Sequence, residues 1–485
     1  MSSSLSLSSR GRIVWIALAV VGVAIVAIRC STEPQATPGP RKATVRSSPR
    51  GPRSATEVES VNLFLRQLPS EGPTRVVVRL AGVKMSDGRD VMVPWTDGAM
   101  RKAAQDRIGH AQAQFLSHLP TGSNRRVQRF RSIPYLALDL THAEAVAVRD
   151  WLSTQDANRT FEVFLSPVRE LMPTCTTTVT DPPLTFLPPL DRLEWIVEAP
   201  ASTPVVAVVD SRVDPAVEFL KDRLAGRDAI SPGYEPGDAD EDGPPFVAPS
   251  GYGHGTEVAC VAAAADPWCE ILSLRVDDAN GKIHATDAAL ALDAIYDLWN
   301  DKLNQRIKAV VVSLGDHVGY TPTAYCGSDE EDTRTFLDAL TRMNELGIPV
   351  VVAAGNISTD VPAVEFPACF ENVVTVTGTL FSPVEPSPDW CWSTVADLCA
   401  PGAGVKVALP GRTYGSSMGS GTSIAAPIVA GALSRLLSLE TKARADQALG
   451  ALKSTGFGMT SRSIEVREVR LAPALQQLRG VVSAQ

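Results

Sequence analysis

The sequence predicts an α/β protein, a mostly parallel, doubly wound sheet with helices on both faces, preceded by a smaller α+β domain. Two observations indicate the larger fold. From Val205 onward, short β-branched runs alternate with helix-length segments, which is typical of strands joined by crossover helices. The first run, Val205–Val209, is uninterruptedly apolar, as expected of a parallel strand buried on both faces.

The composition places the chain among ordinary globular proteins. It has 485 residues, enough for two or three domains, with 44% hydrophobic and 20% charged residues. The net charge is −9 and no basic patch with interleaved aromatic residues occurs, so we expect no nucleic-acid partner.

The first 30 residues predict a signal peptide or a signal anchor. Residues 13–28 form an unbroken apolar run, slightly long for a signal-peptide core and slightly short of the ~20 residues that span a membrane. Residues 31–57 are rich in Pro, Ser, Thr and Arg, which predicts a flexible linker. We therefore expect an exported protein, either secreted or anchored through residues 13–28 in the cell envelope.

Residues 58–172 predict a separate small domain. Strands and helices are expected in the order βαββαβ, which is the ferredoxin-like arrangement. Thr141 and Glu144 predict a capping box at the start of the second helix. The predicted segments are strands at 74–80, 127–131, 133–140 and 161–165, and helices at 100–119 and 142–152.

Residues 173–485 predict the main α/β domain. It opens with a Pro- and Thr-rich stretch that should run over the surface to residue 198. The predicted strands are 205–210, 271–276, 307–313, 348–353 and 373–376, and the predicted helices are 258–265, 286–303, 331–345, 428–433, 443–453 and 472–478.

Three residues in this domain carry chemistry. Ser423 lies between small residues at the start of an apolar helix, where the helix dipole favours a developing oxyanion. His254 lies between two glycines at the start of another small-residue helix. Asp210 ends the first buried strand, at the edge where α/β sheets carry their ligands. Serine at a helix start is otherwise most often a cap.

The order Asp210, His254, Ser423 and the surrounding motifs resemble the subtilisin-like serine proteases, whose order of triad residues is the same. The matching stretches lie around Asp210 (VAVVDSRVD), His254 (GHGTEVA) and Ser423 (GTSIAAPIVAG), together with VVSLG at 311–315 and VVAAGN at 351–356. The chain departs from the family at Arg212, usually glycine, and at Glu257, usually a second histidine.

The resemblance implies a serine endopeptidase that acts on proteins or peptides. His254 would act as general base and acid, Asp210 would orient it, and Ser423 would attack the peptide carbonyl. Asn356 would donate to the oxyanion. Ser313, Leu314 and Gly315 would pair with the substrate backbone, whereas Ala353, Ala354 and Gly355 would wall a primary pocket with room for a large apolar side chain.

By the same resemblance, residues 58–172 look like an intramolecular propeptide that assists folding and fills the cleft. The segment from Phe164 to Thr176 is expected to thread the cleft by edge-strand pairing, with cleavage near Leu171 or Met172. The alternative is a permanent accessory domain.

The cysteines and one acidic loop give two further expectations, on disulfides and on calcium. Three sequence clusters, Cys260/Cys269, Cys326/Cys369 and Cys391/Cys399, favour disulfides in an oxidising compartment, with buried thiols as the alternative. We expect no metal in the active site and no cofactor. The acidic loop 238–243 lacks the final glutamate of an EF-hand, which leaves an irregular structural calcium site or a solvated loop.

Two other functions compete with the protease. A catalytically silent subtilase-like protein would bind peptides without cutting them. An acyl hydrolase would use the same triad, but Ser423 lacks the Gly-x-Ser-x-Gly elbow of that class.

Overall fold

The computed structural model describes one strand near the N-terminus and most of the chain beyond Thr74. The described residues are 45–46, 74–92, 98–119, 127–153, 161–165, 168–171, 177–179, 194, 196, 198–225, 253–277, 283–298, 306–316, 318–321, 326, 331–357, 361–380, 384–408 and 416–484. The apolar run 13–28, Cys175, Met172 and the acidic loop 238–243 lie outside them.

The strands of the described residues form five sheets, and helices lie between them in the chain. In chain order they are β1 (Val45–Arg46), β2 (Thr74–Arg79), α1 (Gly98–Leu116), β3 (Val127–Arg129), β4 (Tyr135–Leu140), α2 (His142–Ser153), β5 (Glu162–Leu165), β6 (Val168–Leu171), β7 (Thr177–Val179), β8 (Val205–Asp210), α3 (His254–Ala265), β9 (Glu270–Arg275), β10 (Ile283–His284), α4 (Ala285–Leu298), β11 (Ile307–Val312), β12 (Leu314–Gly315), β13 (Gly319–Tyr320), α5 (Glu331–Glu345), β14 (Val350–Ala353), β15 (Val374–Thr379), β16 (Leu398–Pro401), β17 (Ala403–Ala408), β18 (Ser416–Ser420), α6 (Thr422–Leu439), α7 (Ala445–Thr455), β19 (Phe457–Ser461), β20 (Ile464–Glu468) and α8 (Leu471–Ser483).

The main sheet confirms the predicted parallel architecture. Its order is β19-β20-β16-β15-β14-β11-β8-β9, and every neighbouring pair is parallel except β19 with β20. Side chains of β8 alternate between the faces: Val206 and Val208 pack with α3 and α6, whereas Val205 and Val209 pack with α4 and α5. This burial on both faces is why β8 is apolar throughout.

The small unit has the predicted βαββαβ order. Its four strands form an antiparallel sheet in the order β3-β4-β2-β5. The capping box at α2 is confirmed, because Thr141 N–H donates to Glu144 Oε2 at 2.9 Å and Glu144 N–H donates to Thr141 Oγ1 at 3.3 Å.

One face of the small sheet packs on α4 and α5. Phe130, Ile133 and Tyr135 belong to the same buried cluster as Ile295 of α4 and Phe336 of α5. Three carboxylates of these helices also bind the small unit. Asp293 accepts from the backbone N–H groups of Arg131 and Ser132, both at 2.7 Å, Asp287 accepts from Gln128 at 2.8 Å, and Asp338 accepts from the Tyr135 hydroxyl at 2.8 Å.

Sequence patterns missed β16 and two hairpins, β17–β18 and β19–β20. The strand β18, Ser-Ser-Met-Gly-Ser, has no apolar alternation, so it carries no period-2 signal. The helix predicted over 286–303 is described only as far as Leu298. The expectation that helix 258–265 begins at Val258 was short by one turn, since α3 begins at His254 itself.

One of the three cysteine clusters holds a disulfide, as expected. Cys326 and Cys369 are bonded, with a Cα–Cα distance of 5.3 Å. The expectation of disulfides is wrong for the other two clusters, where the alternative of buried thiols holds: Cys260, Cys269, Cys391 and Cys399 are free and buried. Closeness in sequence does not bring their sulfur atoms together, and the Cys391 and Cys399 thiols instead donate to the backbone carbonyls of Ile357 and Val466. These residues act as small apolar side chains of the core.

Within the described ranges, no group of three or more His, Cys, Asp or Glu side chains could hold a metal ion. One helix in these ranges, Thr422–Leu439, is long and apolar enough to cross a membrane, but 94% of its apolar window is buried within the protein, as in a core helix.

Candidate active site

Asp210 and His254 form a buried pair at one rim of the sheet. Asp210 is the last residue of β8 and is fully buried, and His254 is the first residue of α3. The His254 Nδ1 atom lies 2.8 Å from Asp210 Oδ1 and 3.0 Å from Oδ2. The backbone N–H of Ser211 donates to Oδ1 at 2.8 Å. The carboxylate therefore fixes the orientation of the imidazole and leaves Nε2 on the opposite side of the ring.

Gly255 permits this approach of α3 to the end of β8. A Cβ at Gly255 would lie 2.0 Å from the carbonyl oxygen of Ser211 and 3.3 Å from Asp210 Cβ. Its N–H donates to Ser211 Oγ at 2.9 Å. Only glycine fits between the histidine and the strand that carries the aspartate.

Ser423 is the second residue of α6 and is fully buried. It follows Gly421, whose φ of 139° lies in the region that favours glycine. Further along, a Cβ at Gly431 would lie 2.6 Å from Ala265 Cβ, so this glycine lets α6 pack closely on α3. The histidine and serine thus stand at the starts of two helices in direct contact.

Asn356 is held beside Ser423 through its neighbours. Its Oδ1 accepts from the backbone N–H of Thr422 at 2.8 Å and from Thr422 Oγ1 at 3.0 Å. The position that a Cβ at Gly421 would take lies 3.0 Å from Asn356 Nδ2 and 3.2 Å from Ser423 Oγ. The amide nitrogen and the hydroxyl therefore border the same small volume.

Three polar atoms at this rim have no hydrogen-bond partner among the described residues. They are His254 Nε2, Ser423 Oγ and Asn356 Nδ2, and all three are buried. No hydrogen bond joins Ser423 Oγ to His254 Nε2 in this structure. Buried polar groups are normally satisfied, so a base nitrogen, a hydroxyl and an amide donor left open together mark a place where a reacting group binds.

Nearby negative charges raise the pKa of His254 by more than burial lowers it. Burial lowers the pKa of the imidazole, but the Asp210 carboxylate, its hydrogen bond and the Glu257 carboxylate raise it, and the pKa lies above the ordinary 6.5. Glu257 is itself almost fully buried, one helical turn after His254. Arg212 stands where the family usually has glycine. Its φ is not positive, so the backbone conformation at this position does not require glycine.

The predicted substrate strand lies in a three-stranded sheet of order β10-β6-β12. Leu314 pairs with Leu171 and Gly315 with Glu170, both antiparallel, and Ile283 pairs with Arg169. The hydroxyl of Ser313 donates to the carbonyl of Ser423 at 3.2 Å, and Gly355 N–H donates to Thr422 Oγ1 at 3.1 Å. The segments 313–315 and 353–355 therefore both reach the start of α6.

Sequence reasoning missed Glu365. This fully buried carboxylate accepts from the backbone N–H of Asn356 at 2.8 Å. Its only signal in the sequence is a charged residue between Val364 and Phe366, which does not point to a partner nine positions earlier in the chain.

Comparisons with known proteins agree with this architecture. A profile described as Peptidase_S8, subtilase family, matches residues 201–468. Thermitase of Thermoactinomyces vulgaris is 31% identical over 39% of this chain and 62% of its own length. The major intracellular serine protease of Bacillus subtilis (strain 168) is 28% identical over 48% of this chain and 68% of its own length. The chain thus spans less than two thirds of the length of thermitase.

A solved structure shares the fold. Fervidolysin from Fervidobacterium pennivorans, described as a keratinolytic enzyme related to subtilisin, superposes with a TM-score of 0.55 at 18% identity. The superposition covers 84% of this chain and 62% of fervidolysin.

Proposed function

This chain belongs to the subtilase family, and from that premise we propose that it is a serine endopeptidase which hydrolyses peptide bonds through Asp210, His254 and Ser423. The observation that carries the proposal is the double contact of His254 Nδ1 with the Asp210 carboxylate, at 2.8 and 3.0 Å. This contact leaves Nε2 as the nitrogen that can take a proton from Ser423 when substrate is bound.

In the proposed reaction His254 Nε2 removes the Ser423 proton as Oγ attacks the peptide carbonyl carbon. The carbonyl oxygen becomes an oxyanion, which accepts hydrogen bonds from Asn356 Nδ2 and the backbone N–H of Ser423. The imidazolium then protonates the leaving amine, and the C–N bond breaks to give an acyl-enzyme. Water, deprotonated by His254, releases the acid and restores the serine. Closing the gap between Ser423 Oγ and His254 Nε2 accompanies substrate binding.

Substrate would bind as an added strand. In the proposal Ser313, Leu314 and Gly315 pair with the substrate backbone, and Ala353, Ala354 and Gly355 wall the pocket for the residue before the scissile bond. The antiparallel register of β6 on β12 supports this, because it is the pairing that an extended peptide would make. Backbone pairing tolerates many sequences, so broad substrate choice follows.

We further propose that residues 58–172 act as an intramolecular inhibitor and that the chain is made as an autoinhibited precursor. Two contacts support this: β6 pairs with both β10 and β12, the strand proposed to bind substrate, and the small sheet packs on α4 and α5. Cleavage near Leu171 or Met172 would release the small unit. N-terminal sequencing of the mature enzyme tests this, and a mature start before residue 160 would refute it.

Export is part of the same proposal. The apolar run 13–28 would direct the chain out of the cytoplasm or anchor it, and the Cys326–Cys369 disulfide suits an oxidising compartment. The proposal includes an irregular structural calcium site in the acidic loop 238–243, which lies outside the described residues.

A fluorophosphonate probe tests the catalytic proposal. Wild-type protein should be labelled at Ser423, and Ser423→Ala should lose both labelling and peptide hydrolysis. Ser454→Ala, an exposed position on α7, serves as the control and should behave as wild type. Absence of wild-type labelling after removal of the small unit would favour the alternative, a catalytically silent peptide-binding protein.

A further inference from the structure

The turn that carries Asn356 lies just beyond the end of a strand. β14 ends at Ala353, and residues 354–356 continue the chain past it. Gly355 has a φ of 122°, so the backbone turns here through a conformation that favours glycine. Because Asn356 lies outside β14, contacts with other segments must fix its backbone.

Glu365 binds this turn on both sides of the glycine. The backbone N–H of Glu365 donates to the Ala354 carbonyl at 2.8 Å, and its Oε1 accepts from the backbone N–H of Asn356 at 2.8 Å. The two hydrogen bonds therefore hold the residue before Gly355 and the residue after it.

The side chain of Glu365 also fills the space beside Gly355. A Cβ at Gly355 would lie 2.6 Å from Glu365 Cγ, 2.7 Å from Oε1 and 2.8 Å from Cδ. Glycine is thus required at this position both by its φ and by the contact with Glu365. Glu365 is fully buried, so little water competes for the acceptor that binds Asn356.

The backbone of Glu365 is itself fixed by both of its neighbours in the chain. Val364 exchanges two backbone hydrogen bonds with Tyr320 of β13, at 2.7 and 3.0 Å. On the other side, the N–H of Phe366 donates to Asp316 Oδ1 at 3.3 Å. Glu365 therefore reaches the turn from a backbone that is tied down on either side of it.

Asn356 is consequently held by two separate segments. Thr422 donates to the side-chain Oδ1 from its backbone N–H and from its hydroxyl, and Glu365 accepts from the backbone N–H. Thr422 thus orients the side-chain amide, whereas Glu365 fixes the backbone from which that side chain extends. The place of the Nδ2 donor depends on both.

We infer that Glu365 is a positioning residue for hydrolysis, which holds Asn356 Nδ2 where it meets the oxyanion. The inference rests on the proposed function and adds a residue to it. A donor is effective only when it stands about 2.7–3.1 Å from the place that the oxyanion takes in the transition state. Without the Glu365 acceptor, the Asn356 N–H loses its partner and the turn is free to move, so the donor is no longer preorganised. The oxyanion exists only after attack, so the loss falls on kcat and not on KM.

A matched pair of substitutions separates the acceptor from the space that it fills. Glu365→Gln keeps an oxygen that can accept from the Asn356 N–H, whereas Glu365→Met has a similar unbranched length but no strong acceptor. With one fluorogenic peptide that wild type cleaves, Glu365→Gln should keep kcat within about threefold of wild type. Glu365→Met should lower kcat by about tenfold or more and leave KM within about threefold, since losing the donor outright costs roughly 10²–10³.

A double-mutant cycle with Asn356→Ala shows whether Glu365 acts through the asparagine. In the Asn356→Ala background the donor is already gone, so adding Glu365→Met should lower kcat by less than about threefold. Affinity-tagged wild-type enzyme processes each full-length precursor and is removed before the assay, and urea unfolding verifies that each variant is folded. Glu371→Gln, at an exposed position, is the control and should match wild type.

An equal loss of kcat from Glu365→Met in both backgrounds overturns the inference, and so does an unchanged kcat or a loss in Glu365→Gln as large as in Glu365→Met. A rise in KM with an unchanged kcat assigns Glu365 to the substrate wall and overturns it as well. If Glu365→Met does not fold, Glu365→Gln decides: a kcat within about threefold of wild type supports the inference, and a larger loss overturns it.

These outcomes leave the proposed function standing as long as wild type is labelled by the fluorophosphonate probe and cleaves the peptide. A wild-type protein that neither labels nor cleaves overturns both the proposed function and the role of Glu365.

Discussion

Asn356 and Thr422 are joined by two hydrogen bonds that end on a single atom. The backbone N–H and the hydroxyl of Thr422 both donate to Asn356 Oδ1, at 2.8 and 3.0 Å. An amide whose oxygen accepts twice must turn its Nδ2 the other way, toward Ser423. The residue next to the serine thus sets the orientation of the asparagine.

This geometry predicts separate effects for the two residues. Asn356→Ala removes the donor and should lower kcat by roughly 10²–10³ with little change in KM, as expected for an interaction made in the transition state. Thr422→Val keeps the backbone bond and loses the hydroxyl, so its kcat should fall less. Kinetics with one peptide substrate measure both. An Asn356→Ala enzyme with wild-type kcat would contradict the assignment.

The pH dependence of hydrolysis should respond to Glu257. His254 must be neutral to accept the serine proton, and its pKa is raised above the ordinary 6.5, so activity should fall as the pH drops through that raised value. Glu257→Gln removes one cause of the increase and should move the acidic limb of the kcat/KM profile to lower pH. Glu371→Gln, exposed and on another segment, is the control. A shift of the acidic limb to higher pH would contradict the role of Glu257 in raising the pKa of His254.

Gly255 and Gly450 provide a matched pair of glycine substitutions. In Gly255→Ala the new Cβ would meet the Ser211 carbonyl at 2.0 Å, so we expect a loss of about 1–3 kcal/mol in unfolding free energy and a large loss of activity. At Gly450, on α7, nothing lies within 4 Å, so alanine should stabilise by about 0.5–1 kcal/mol. Urea unfolding and probe labelling measure both, and equal effects at the two sites would refute the steric argument.

Asp293 should control how tightly the small unit docks. Its carboxylate accepts from two backbone N–H groups of the small unit, and it is almost fully buried. Asp293→Ala leaves both donors unpaired, each at a cost of about 1–3 kcal/mol. If residues 58–172 inhibit, the variant should shorten the lag before peptide hydrolysis begins. Asp446→Ala, exposed on α7, is the control. An unchanged lag in Asp293→Ala would argue against docking as the source of inhibition.

The cysteines should react in two groups. Cys326 and Cys369 should resist alkylation until a reductant is added, and breaking their bond, which closes a separation of 43 residues, should cost up to ~4 kcal/mol by the chain-entropy estimate. The four buried thiols should react without reductant, but only after unfolding. Mass spectrometry of alkylated protein counts each group. A disulfide that involves Cys260, Cys269, Cys391 or Cys399 in the native protein would contradict the pairing described here.

Much of the fold and the chemistry could be predicted from local patterns. The apolar run that ends in Asp210, the glycines around His254 and the small residues after Ser423 each record a local requirement: a strand buried on both faces, a close approach, a helix start. The helix over 331–345 was predicted to the residue. The family motifs that surround these positions then suggested how they act together.

The sequence by itself determined the class of fold, the order of the elements and the identity of the residues at the rim, because periodicity, glycine and chain order are local properties. Tertiary structure alone decided the rest. Glu365 and Asn356, Asp316 and Phe366, and β6 and β12 meet only because the parallel sheet brings distant segments to one edge. Hydrogen bonds between such segments leave no periodic trace along the chain, so only the tertiary structure could separate the Cys326–Cys369 disulfide from the free thiols of Cys260, Cys269, Cys391 and Cys399.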